Sequence, residues 1–122
     1  MAIGGLSACL GVALGAFGAH ALKAQLSVES LAIYQTGVQY QQLHALAILF
    51  VALAAAHIPS KRLVAAGWLF AAGTVVFSGS LYALAITGVR VFGAITPLGG
   101  VCFLSGWALL TWEAVASRPL RS

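Results

Sequence analysis

The sequence contains no aspartate, and its only acids are Glu29 and Glu113. Charged residues make up 7% of the 122 positions, against about 25% in soluble domains. So few charges cannot cover a water-facing globule, so the solvent must be something other than water. Without aspartate there is no Ser/His/Asp constellation. Two glutamates predicted on opposite sides of a membrane cannot work as paired carboxylates. Cysteine is equally scarce: Cys9 and Cys102 both fall inside apolar blocks, with no CxxC and no Cys/His metal spacing. They read as two small buried residues rather than as a disulfide. A glycine-rich phosphate loop is missing too, since the glycines are spaced for helix packing. A basic stripe interleaved with aromatics is also lacking. The net charge of +4 therefore does not mark a nucleic-acid partner. No enzymatic activity, metal or cofactor is expected.

What the chain does have is apolar length. Hydrophobic residues make up 61% of it, and they come in long blocks bounded by bases, the pattern of transmembrane helices. The expected architecture is an all-α integral membrane four-helix bundle forming one domain, with spans of about 2–22, 31–57, 63–87 and 97–116. The first block lacks a basic n-region, so it reads as a retained helix, not a cleaved signal. Ser27 is placed to cap the second helix, with Glu29 in its first turn. That helix, from Val28 to His57, would be roughly 45 Å long if continuous, so it either tilts or bends into the interface. Pro59 stops it. Thr96-Pro97 reads as the start of the fourth helix, with Thr96 as cap. Four spans leave both termini on one side, together with Lys61, Arg62, Arg118 and Arg121, while Lys23 and Arg90 fall on the other. The excess of bases puts both termini in the cytoplasm.

Lipid gives helices no hydrophobic reason to associate, so close backbone approach must do so. Ser7, Gly11, Gly15 and Ala19 recur every four residues on the first helix, widened by Gly18. The third helix offers Gly67, Ala71 and Gly79, and the fourth Gly99, Gly100 and Gly106. These stripes serve internal packing, or else homo-oligomerisation or docking to another membrane protein.

Polar groups inside spans are costly and so become functional candidates. The candidate cluster is His20, Tyr40, Gln41, His44, Ser78 and Tyr82. His20 lies at a helix C-terminus, where it can bond free carbonyls. His44 shares a helical face with Tyr40 and Gln41. A haem held by both histidines would need them at equal depth. On a straight second helix His44 lies roughly 20 Å beyond Val28, well away from His20; if the early part of that helix bends into the interface, the two depths can match.

Several strings occur together in one order: Gly15-Ala16-Phe17-Gly18-Ala19-His20, Tyr40-Gln41-Gln42-Leu43-His44-Ala45, Phe77-Ser78-Gly79-Ser80-Leu81-Tyr82 and Thr96-Pro97-Leu98-Gly99-Gly100, followed by Gly106-Trp107. As a set they resemble the YgdD/YwdK-like family of small uncharacterised membrane proteins, which has mitochondrial relatives in animals. The resemblance implies a four-helix protein of the bacterial inner membrane, with His20 and His44 as its motif histidines and no assigned mechanism. One departure is a short segment before Gly15, without the longer, often basic lead of relatives.

The leading expectation is a scaffold or accessory protein in the lipid bilayer, either homo-oligomeric or part of a larger membrane complex. A respiratory complex is implied only by the family's mitochondrial relatives. The alternatives are an oligomeric channel or carrier for a proton or small solute, with His44, Tyr40 and Gln41 along its path, and a lipid- or quinone-binding protein.

Overall fold

The computed structural model describes residues 1–117, so Arg118 and Arg121 of the charge argument lie outside the described residues. Four helices are long and apolar enough to cross a membrane. The first is Ala2–His20, extended by a 3-10 turn at Leu22–Ala24. The second is Val28–His57, unbroken over 30 residues. Ser27 caps it by accepting the Ser30 amide at 3.1 Å. The third span, Lys61–Thr87, is α-helical over Lys61–Gly73, π-helical over Thr74–Ser78 and α-helical again over Gly79–Thr87. Ser60 caps its start through the Arg62 and Leu63 amides. Gly88 ends it in the left-handed region, at φ 70°, which glycine enters without steric penalty.

The fourth helix is Val91–Ala116 and starts well before the expected Thr96-Pro97 boundary. Pro97 lies inside it, which removes one amide from the ladder. Thr96 is no cap. Its hydroxyl bonds back to the Phe92 carbonyl at 3.2 Å and meets the Ser80 hydroxyl at 2.6 Å. Spanning helices tolerate a proline where neighbouring hydroxyls and helices satisfy the freed backbone.

The helices pack in sequence order. The second, third and fourth form a core around Ala47, Val51, Leu63, Ala66, Phe70 and Phe103. The first helix packs along the second, so the assembly is an open bundle with one helix at its flank. The seam between them repeats every seven residues: Gly4, Gly11 and Gly18 are the buried residues of the first helix. Gly4 faces Leu49, Gly11 faces Gln42 and Gly18 faces Tyr34, an antiparallel run. A step of four residues rotates about 40° around a helix, whereas a step of seven drifts only about 20°. The four-residue stripe therefore leaves the interface. Ser7 and Gly15 are half-buried, but Ala19 is exposed. Cys9 is also exposed, on the side opposite the seam, rather than buried as expected.

Candidate functional site

The second helix organises the polar interior. Tyr34, Gly37, Gln41, His44, Ile48 and Val51 are all buried along it, spaced alternately three and four residues apart, which keeps them on one stripe. The stripe faces the first helix on one flank and the third and fourth on the other.

Gln41 links three helices. Its amide Nε2 donates to the Ser7 carbonyl at 2.9 Å, and its Oε1 accepts from the Tyr82 hydroxyl at 2.7 Å. One turn away, the Ser78 hydroxyl donates to the Gly37 carbonyl at 2.7 Å. Tyr34 lies 5.0 Å from Tyr82, centroid to centroid, and donates its hydroxyl to the Leu14 carbonyl at 2.7 Å. Every spanning helix except the fourth is thus tied to the second by a hydrogen bond from this layer. Such bonds contribute about 0.6 kcal/mol each on average in bilayers.

His44 belongs to a different cluster. It is 2% exposed. Its Nδ1 donates to the Tyr40 carbonyl at 2.8 Å, and its Nε2 accepts from the Trp107 indole at 3.1 Å. The pairing requires the neutral Nδ1–H tautomer. The ring stacks on Phe103 at 3.5 Å with a 7° tilt, and Phe70 lies 5.5 Å away. Both nitrogens are committed, so no lone pair remains free to bind a metal. Glycines on the neighbouring helices make room for the rings: Gly73 takes Phe103, Gly106 takes Phe70 and Gly99 takes Phe77.

The six expected site residues therefore divide. Gln41 and Tyr82 bond directly, with Ser78 beside them. His44 stacks with Tyr40, 6.0 Å between centroids, on the side facing the fourth helix. His20 is exposed and joins neither group. Gly4 lies level with Leu49 and Gly18 with Tyr34, so His20 and His44 sit roughly 20 Å apart along the helix axis. The expectation missed Tyr34 and Trp107 as site residues, and took Ser7 for a packing residue only. The three-four spacing of Tyr34, Gly37, Gln41 and His44 is a signal that could have found Tyr34; nothing local marks Trp107 as the partner of His44.

At the far end Glu113 accepts from Ser60 at 2.8 Å, Arg62 at 2.7 Å and Ser117 at 2.8 Å. This clasp ties the start of the third helix to the end of the fourth. Glu29 begins the second helix at the opposite end.

Two adjacent grooves run over the second helix between the first and third. One, of about 370 Å³, is lined by Ser7, Leu10, Gln41, Val75, Gly79 and Tyr82 among others. The other, of about 210 Å³, shares Ile3, Ile48 and Ala71 with it and reaches Trp68. His44 lines neither.

Four apolar helices of spanning length, held by a hydrogen-bonded layer at mid-depth, define a small multi-pass membrane protein. Residues 14–100 match the family described as "Protein of unknown function (DUF423)", and the chain belongs to that family. It is 46% identical over 114 residues to the UPF0382 membrane protein YwdK of Bacillus subtilis, covering 93% of both chains. It is 44% identical over 110 residues to the UPF0382 inner membrane protein YgdD of Escherichia coli K12, covering 90% of this chain and 84% of that one. A Staphylococcus epidermidis UPF0382 membrane protein is 46% identical over 108 residues, 88% of each chain. No solved structure matches the chain. Together these place it as a multi-pass protein of the bacterial inner membrane.

Proposed function

We propose that this protein is an assembly or accessory element of the inner membrane, which holds a second transmembrane chain against its first helix. The observation that carries this reading is the one-sided packing of that helix. Gly4, Gly11 and Gly18 are buried against the second helix, while Ala2, Gly5, Cys9, Ala13 and Ala16 form the opposite, exposed face. A Cβ at Gly5 would meet nothing. Small residues allow close backbone approach, the main source of helix association in lipid, and here that capacity is unused among the described residues. A carrier with His44 on its path has less support, because His44 is sealed among aromatic rings and lines neither groove.

The test is extraction of the natural-abundance protein in mild detergent, followed by native mass spectrometry of what accompanies it. A homo-oligomer or a defined membrane partner is expected, lost when Gly5→Leu and Ala16→Leu put bulk on the outward face. A monodisperse monomer under the gentlest extraction counts against assembly. So does a complex that those substitutions leave intact.

A further inference from the structure

The groove between the first and third helices carries hydrogen-bond donors with nothing to receive them. The Ser7 hydroxyl is buried and has no partner among the described residues. Gln41 is 5% exposed, and one of its two amide hydrogens is used, on the Ser7 carbonyl. Both residues line the groove. The Ser7 oxygen has no surface of its own on the groove, so reaching a ligand there takes a change of χ1 rotamer. Acyl chains offer no acceptor, and an unsatisfied donor in hydrocarbon is costly.

We propose that this groove binds a quinone, its ring carbonyl accepting from Ser7 and Gln41 and its apolar tail running toward Trp68. Depth and charge select this class. Gln41 lies near the middle of a 30-residue spanning helix. The ester carbonyls of phospholipids sit beside their headgroups, roughly 15 Å from the midplane. A fatty-acid carboxylate at the depth of Ser7 and Gln41 would need a cationic partner there; no Lys, Arg or His lines either groove, and the α-amino group of Met1 lines only the smaller one, six residues before Ser7. A neutral carbonyl on a headgroup-free chain matches both the donors and the walls. This site is separate from the outward face of the first helix and does not depend on the assembly reading.

The probe is decylubiquinone, titrated into the protein in phosphatidylcholine nanodiscs. Tryptophan quenching and native mass spectrometry are the readouts. Saturable binding of one molecule per chain is expected. Ser7→Ala should weaken it by up to about tenfold, the worth of one hydrogen bond. Gly79→Leu, placed where a Cβ meets nothing, should fill the groove and abolish binding, with helical content unchanged by circular dichroism. Decylbenzene has the same chain without carbonyls and should compete weakly. Quenching that rises without saturation, equal competition by decylbenzene, or an affinity unmoved by Ser7→Ala would each overturn the proposal.

Discussion

Gly99 and Gly100 are neighbours in sequence with opposite surroundings. A Cβ at Gly99 would lie 2.7 Å from the Phe77 Cα and still closer to its amide nitrogen, whereas one at Gly100 would meet nothing. Backbone cannot swing aside as a side chain can. Gly99→Ala should therefore destabilise the protein by about 1–3 kcal/mol, the usual cost of overpacking. Gly100→Ala should be neutral or should stabilise by up to about 1 kcal/mol through helix propensity. Unfolding in mixed detergent and SDS micelles measures both, and equal losses at the two sites would refute the packing argument. The pair also shows how far a sequence can be read. Both glycines look alike as small residues in a spanning block, because composition marks which residues permit close approach. Which of them is approached depends on helix rotation, and that is set by partners distant in sequence. The same holds for His44, whose contact with Tyr40 is local whereas its contact with Trp107 spans 63 positions.

At the scale of the element, the third span is the unusual one. Its π-helical segment, Thr74–Ser78, holds one residue more per hydrogen-bonded ring than an α-turn. The extra residue rotates the two halves of the helix relative to each other. The first half aims Phe70 and Gly73 at the fourth helix, and the second half aims Ser78 and Tyr82 at the second. Deleting Val75, which is 74% exposed, should convert the segment to ordinary α-helix. One half then turns by about 100°, so the Tyr82–Gln41 and Ser78–Gly37 bonds cannot form together with the Phe70 packing. The expected result is full helicity by circular dichroism with a clear loss of resistance to SDS. Undiminished resistance would show that the two halves are not phased by the bulge. Hydropathy made the existence of the four helices legible, and Ser27 marks the start of the second, whereas the Ser60 cap of the third was not read from the sequence. The bulge and the Val91 start were not legible. Thr-Pro imitates a cap and first-turn proline, and a π-turn needs no special residue that composition would reveal.

For the whole molecule, the remaining question is which end faces the cytoplasm. One end carries Lys23, Glu29 and Arg90; the other carries Lys61, Arg62 and Glu113, with Arg118 and Arg121 beyond the described residues. Glu113 accepts from Arg62 at 2.7 Å, which invites the view that it cancels that base. Orientation, however, follows the number of Lys and Arg near the helix ends, and acids contribute little. The pair therefore acts on stability, by clasping the third helix to the fourth, and not on topology. Cytoplasmic and periplasmic reporters fused to either terminus should both report the cytoplasm. Glu113→Gln should leave that result unchanged while lowering resistance to SDS, because Arg62 and the two serines lose their charged acceptor. Replacing Lys61 and Arg62 with alanine while adding two lysines beside Lys23 should invert part or all of the population. An unaltered orientation after that exchange would mean that the four-to-two distribution of bases is not what orients the chain.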